Sequence, residues 1–221
     1  TYPARGPEEP DKEKVLRGAR DGFVETIVFN SALIRRRIRD PKLRFEMVSV
    51  GRESKTDVAI AFIEDRTKPE ALETVKKQLA EIEVDALTLG DQSLIECISK
   101  KTWYNPLPKV RYTERPDVTA AHILEGKIAL LVDNNPSAML LPTSVFDFLE
   151  DVDDYYSPIL TGNYLRFLRN AILLMTLFIT PIYLLITEYP DTLPEYHRFL
   201  LPTDPYHIPI FWQFLLLEFA I

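Results

Sequence analysis

Few side chains in this chain could carry out chemistry. The histidines are His122, His197 and His207, and Cys97 is the single cysteine. One thiol excludes a disulfide framework and any multi-cysteine metal cluster. A zinc set of His197 and His207 with Glu195 or Asp204 is one reading of the spacing; loop histidines at a membrane surface are the other. Cys97 lies beside Ile95 and Ile98 on an apolar helix face, which predicts a buried small hydrophobe. Ser54-Lys55 lacks the SxxK spacing, and no GxSxG elbow, GxGxxG or GxxxxGK loop occurs. No nucleophile, base and orienting group fall together, so the chain reads as non-enzymatic and without a cofactor.

Three charged features remain. Arg35, Arg36, Arg37 and Arg39 crowd the end of an amphipathic segment. They suit the negative end of a helix dipole, and they are also a candidate oligomer or anionic-lipid contact. The segment Asp147–Asp154 holds five acids and no base, and reads as a solvated elbow without the ligand spacing of a calcium loop. Glu218 sits inside Phe214–Ile221, where an ionisable side chain at membrane depth faces a bundle interior or a water-filled path. It is the candidate ion-pathway residue, and pairing within a helix bundle is its alternative role.

The elements that position these groups follow from periodicity. Residues 1–20, rich in proline and charge, form an extended arm. A helix is predicted over 21–39 from Phe23, Ile27, Ile34 and Ile38, ending at Asp40-Pro41. Strands follow at Leu43–Val50 and Thr56–Glu64; the continuous apolar run Val58–Ile63 predicts a strand covered on both faces. A helix from Pro69 to Ile82 carries the stripe Leu72, Val75, Leu79 and Ile82. A strand Val84–Leu89 and a helix Gln92–Ser99 complete a first α/β subdomain, 21–102, with a mainly parallel or mixed sheet.

Trp103–Pro108 marks a break. The second α/β subdomain, 103–149, has a strand Val110–Thr113, a helix Pro116–Leu124 stopped by Gly126, a strand Ile128–Val132, a turn and a return strand Ala138–Leu141. Residues 150–163 are an acidic linker. The fold class is therefore α/β, two small mixed-sheet subdomains, followed by the start of an α-helical membrane domain over 164–221.

That last assignment rests on Ala171–Ile186, sixteen residues without a charge, extended to eighteen by Asn170 and Thr187. Eighteen helical residues span about 27 Å against a hydrocarbon core of roughly 30 Å. Their ten Leu, Ile or Phe residues contribute about -3 to -6 kcal/mol to insertion. A fully buried helix in a soluble core is the alternative. The flanks favour the membrane: Arg166 and Arg169 precede the run, Glu188, Asp191 and Glu195 follow it, and Tyr164 and Tyr189 bracket it as interface anchors. The positive-inside rule puts the N-terminal domain in the cytoplasm. Pro181 predicts a kink or break near mid-helix. A second apolar segment, 208–221, runs to the end of the chain; with Thr1 in place of Met, it gives the expectation of a fragment cut within a membrane domain. A net charge of -7, from 26 Lys+Arg against 33 Asp+Glu, argues against nucleic acid as a partner.

Several longer strings carry a resemblance: Asn30–Pro41, Val50–Ala59, Tyr112–Val118, Leu124–Ala129, Asp154-Tyr155-Tyr156 and Arg166–Arg169. Together they resemble the A subunits of bacterial spore germinant receptors over nearly the whole chain. Those subunits tend to carry a glycine in the turn where this chain has Val132–Pro136, and Asn134 can hold the same left-handed backbone. That variant, with the opening Tyr2–Asp11, is similar to a paralogue of the A subunits found in the spore inner membrane. The resemblance implies a cytoplasmic, spore-core α/β domain ahead of a multi-pass membrane domain. It also implies a homo-oligomeric ring that conducts ions during germination, alongside other germination membrane proteins and the lipid bilayer as partners. A non-conducting scaffold that couples receptors to downstream channels is the alternative function.

Overall fold

The computed structural model describes residues 6–11, 13–15, 17–82, 84–87, 90–98, 110–151, 153–189 and 209–220. Trp103–Pro108, Asp191, Glu195, His197, Asp204 and His207 lie outside the described residues. The chain divides into two compact units, Thr1–Gly162 and Asn163–Ile221.

In the first unit the elements run α1 (Ile27–Arg37), β1 (Leu43–Val50), β2 (Thr56–Ile63), α2 (Pro69–Ala80), α3 (Asp91–Ile98), β3 (Arg111–Thr113), α4 (Pro116–Leu124), β4 (Ile128–Val132), β5 (Ala138–Leu141), a 3-10 helix (Val145–Leu149) and α5 (Asp153–Tyr156). The strands form one sheet in the order β1-β2-β4-β5-β3. Ala59 faces Met47 on one side and Leu131 on the other, and Leu130 faces Met139.

Alternation sorts the sheet into two cores. Ala59, Ala61, Ile63, Ala129 and Leu131 point to one face, with Ile27, Ile34 and Ile123 from α1 and α4. Val58, Ile60, Phe62, Leu130 and Val132 point to the other, with Val75, Leu79 and Leu94 from α2 and α3. Helices thus cover both faces, as the unbroken apolar run of β2 predicts. Each fully buried Ile or Leu in these layers contributes roughly 1.5–3 kcal/mol.

The α/β class stands, with two differences in the sheet. Every strand pair is antiparallel, where a mainly parallel or mixed sheet is expected. β1–β2 and β4–β5 are hairpins, so a strand buried on both faces need not lie in a parallel sheet. β3 and β4, which α4 connects, run parallel without pairing, because β5 lies between them. Strands from 21–102 and from 103–149 share this sheet through the β2–β4 pairing.

Local differences have local causes. α1 starts at Ile27, six residues later than predicted, because the Asn30 side chain bonds both the N–H and the carbonyl of Val24, at 2.8 and 2.6 Å, holding that segment extended. Residues 84–87 are not in a strand; instead Val84 and Asp85 carbonyls accept from Arg52 and Glu53, at 3.0 and 2.8 Å. Asn134 has φ 62°, the left-handed turn expected of it.

α6 spans Ile159–Glu188, nearly all of it in the second unit, where α7 spans Ile210–Ala220. α6 begins in the first unit, eleven residues before the predicted span at 170. The stretch Leu160–Glu188 is long and apolar enough to cross a membrane. It runs through Pro181 as a continuous helix, so no break occurs there. One lost backbone bond is tolerated within a helix of this length. The Tyr183 ring meets Phe214 of α7 edge-on at 6.0 Å.

Candidate functional site

The side chains best placed to act together lie where the chain leaves the sheet and approaches α6. The segment 147–154 is not simply a solvated elbow: Asp147, Glu150 and Asp154 turn inward, while Asp151 is exposed. Asp147 pairs with Lys127 at 2.8 Å and accepts the Ser144 N–H at 2.7 Å, capping the 3-10 helix. Arg111, on edge strand β3, donates to the Asp147 carbonyl at 2.6 Å and to the Glu150 carboxylate at 3.3 Å. The Tyr155 hydroxyl donates to the same carboxylate at 2.9 Å. His122, fully buried on α4, approaches Glu125 through Nδ1 at 3.1 Å and the Tyr155 oxygen through Nε2 at 3.4 Å. Asp154 is buried, with Asp151 N–H donating to it at 3.1 Å.

A second cluster is centred on Arg115, which is fully buried at the start of α4. It holds Asp117 with two bonds, Nε to Oδ1 at 3.1 Å and Nη2 to Oδ2 at 2.7 Å. Its remaining donors reach the N-terminal arm, at the carbonyls of Glu13 (3.0 Å) and Ala19 (2.7 Å). Glu13 in turn accepts from Thr113 Oγ1 at 2.8 Å and from Glu114 N–H at 3.0 Å. Tyr156 closes the cluster from α5, donating to Asp117 and accepting the Ala19 N–H at 3.2 Å. Arm, sheet, α4 and α5 therefore meet on one guanidinium. A planar, five-donor cation suits this position because its partners lie in several directions.

Electrostatics follow the geometry. Burial alone would raise the pKa of Asp117, but hydrogen bonds from Arg115 and Tyr156 outweigh it and hold the carboxyl below the usual range. Asp147 is depressed likewise: burial opposes, and Lys127 and the Ser144 N–H prevail. Burial and the Glu150 charge push the Tyr155 phenol well up, keeping it a neutral donor. A depressed carboxyl contributes stability that is present above its unfolded pKa, about 3.9, and lost as pH falls through the lower folded value. Acid titration is therefore expected to loosen this junction only below about pH 4. D117N and D147N should each flatten that acid limb, as followed by melting temperature against pH.

Other expected residues are placed as follows. Arg35 donates to the carbonyls of Asp40 (3.1 Å) and Leu43 (2.7 Å) and lies over the Phe45 ring. Arg37 pairs with Asp21 at 2.5 Å. These two hold the end of α1, while Arg36 and Arg39 are exposed. Tyr164 and Tyr189 are exposed, and Arg166, Arg169 and Pro181 lie along α6. Glu218 falls within α7. Cys97 is exposed rather than buried, because α3 buries Leu94 and Ile98 instead. Among the described residues no group of three or more His, Cys, Asp or Glu is arranged to hold a metal. A cavity of about 550 Å³ opens among Glu13, Asp91, Tyr112, Glu114 and Ser137.

Arg111, Arg115, Tyr155 and Tyr156 escape sequence reasoning as site residues. Arg115, Tyr155 and Tyr156 fall within the strings Tyr112–Val118 and Asp154-Tyr155-Tyr156, while Arg111 lies one residue outside them and carries no signal.

Comparison with known proteins covers the chain throughout. The model of the family described as Bacillus/Clostridium GerA spore germination protein matches residues 1–221. Stage V sporulation protein AF of Bacillus subtilis (strain 168) is 48% identical over 100% of this chain and 45% of its own length. Spore germination protein A1 of the same organism is 35% identical over 88% of this chain and 39% of its own. The chain thus spans less than half the length of these curated relatives. A crystal structure of the N-terminal domain of the A subunit of the Bacillus megaterium spore germinant receptor GerK3 aligns with TM-score 0.44 at 35% identity, over 56% of this chain and 96% of that one.

Proposed function

Since the chain belongs to the Bacillus/Clostridium GerA spore germination protein family, we propose that it acts in the spore inner membrane as a subunit of an oligomeric ion channel that releases ions during germination. The observation that carries this reading is α6, an apolar helix of spanning length inside a germination-family sequence. Arg166 and Arg169 before the uncharged run, and none close after it, favour the α/β unit on the cytoplasmic, spore-core side. The reading makes the protein multi-pass and homo-oligomeric, with lipid and other germination membrane proteins as partners and no catalytic step. Glu218 on α7 is the ion-pathway residue, since an ionised group in so apolar a helix is best solvated by a water-filled path.

Ion flux from liposomes carrying the full-length protein tests this, with a dye-sized solute as leak control. Selective ion release is expected, and E218Q should slow it about tenfold, the effect of some 1.4 kcal/mol on the limiting step. Unchanged conductance and selectivity in E218Q would remove the pathway role. An absence of flux from folded, inserted protein would favour a non-conducting scaffold that couples receptors to downstream channels. The clamped junction favours that second reading, because it ties the α/β unit firmly to the segment entering α6.

A further inference from the structure

The 3-10 helix Val145–Leu149 has its side chains arranged against the usual preference for water. Phe146 and Phe148 are 55% and 42% exposed, while Asp147, between them, keeps only 14% of its side chain exposed against Lys127. Glu150, next in the turn, is 21% exposed against Arg111. A short turn in water exposes its acids and buries its phenylalanines. Here Asp147 and Glu150 are turned inward and neutralised by Lys127, just before β4, and by Arg111 of β3, and the phenyl groups face out. Single exposed apolar residues need no explanation, but an inverted turn does. Its chain position supplies one: nine residues separate Leu149 from Ile159, where α6 begins. The first turns of α6 expose Leu160, Tyr164 and Phe167 in the same way.

We infer that this 3-10 helix is a lipid-docking tip, with Phe146 and Phe148 entering the headgroup region of the bilayer. The inference rests on the reading of α6 as a membrane span, and it adds a second lipid contact belonging to the α/β unit. Aromatic rings partition well to that interfacial layer. Neutralising Asp147 and Glu150 within the fold removes the charges that would otherwise resist it. The ligand is the zwitterionic bilayer interface itself, because the tip offers phenyl groups and no exposed cation.

The full chain with Trp103 replaced by phenylalanine, reconstituted in phosphatidylcholine vesicles with brominated acyl chains, provides the test. Trp212, on α7, then reports insertion of the apolar helices. A second tryptophan is added as F148W, or as M47W on β1, where Met47 is 55% exposed, as the control. Bromolipid is expected to quench the residue-148 emission at least twofold more than the residue-47 emission. Quenching at Trp212 with none at position 148 overturns the inference while the span stands. A blue-shifted, unquenched emission at 148 also overturns it, since protein rather than lipid then covers the turn. No quenching at Trp212 overturns the span reading and the inference together.

Discussion

Replacing Arg115 with methionine is expected to cost the first unit about 3–5 kcal/mol, the range for removing one partner of a buried ion pair. For a chain of this size that lowers the melting temperature by about 10 °C. The loss exceeds that of a surface pair because the guanidinium is fully buried and Asp117 keeps 16% of its side chain exposed. Methionine fills much of the volume but leaves Asp117 without its charged partner, and leaves the Glu13 and Ala19 carbonyls without that donor. The double variant R115M/D117N should recover part of the loss, because it removes the uncompensated charge while leaving the carbonyls unanswered. Hydrogen exchange separates the roles. Amides of the arm near Ala19 and of α5 should lose protection before those of β2 and β4. Uniform loss across the sheet would mean that Arg115 supports the core generally rather than joining arm, α4 and α5.

Such a residue is hard to find in a sequence, and the reason is physical. What was legible is local: Val58–Ile63 and Ile128–Val132 read as strands because burial on both faces leaves a continuous apolar run. Pro116 and Gly126 bound α4 because one fits a helix start and the other a left-handed stop, φ 94° here. Asn134 holds its turn for the same backbone reason. What was not legible depends on partners distant in sequence. Arg111 meets Glu150 across 39 residues, and Arg115 meets the arm across 96 and 102. A run of five acids looks solvated because periodicity carries no information on which cations fold against it. Strand direction escaped similarly, since the same alternation serves parallel and antiparallel partners, and only the hairpin turns distinguish them.

The arm itself is held by a position where glycine alone fits. Gly18 has φ 127°, and a Cβ added there would lie 2.3 Å from Cζ at the edge of the Tyr156 ring. G18V is therefore expected to lift the arm from α5 and cost about 1–3 kcal/mol in backbone strain, with the ring overlap in addition. Removing the ring distinguishes the two contributions. In a Y156A background the overlap is gone, so G18V should cost only the backbone part, and the difference between the two backgrounds measures the arm–ring contact. Equal costs would show that Tyr156 moves freely and that the arm is held by its other contacts, those of Arg115 and Glu13. A large difference would mean that arm and α5 cannot shift independently. Tyr156 lies two residues ahead of Pro158, and α6 begins at the residue after it. Whatever displaces the arm would then also displace α5 and the residues that follow it in the α/β unit.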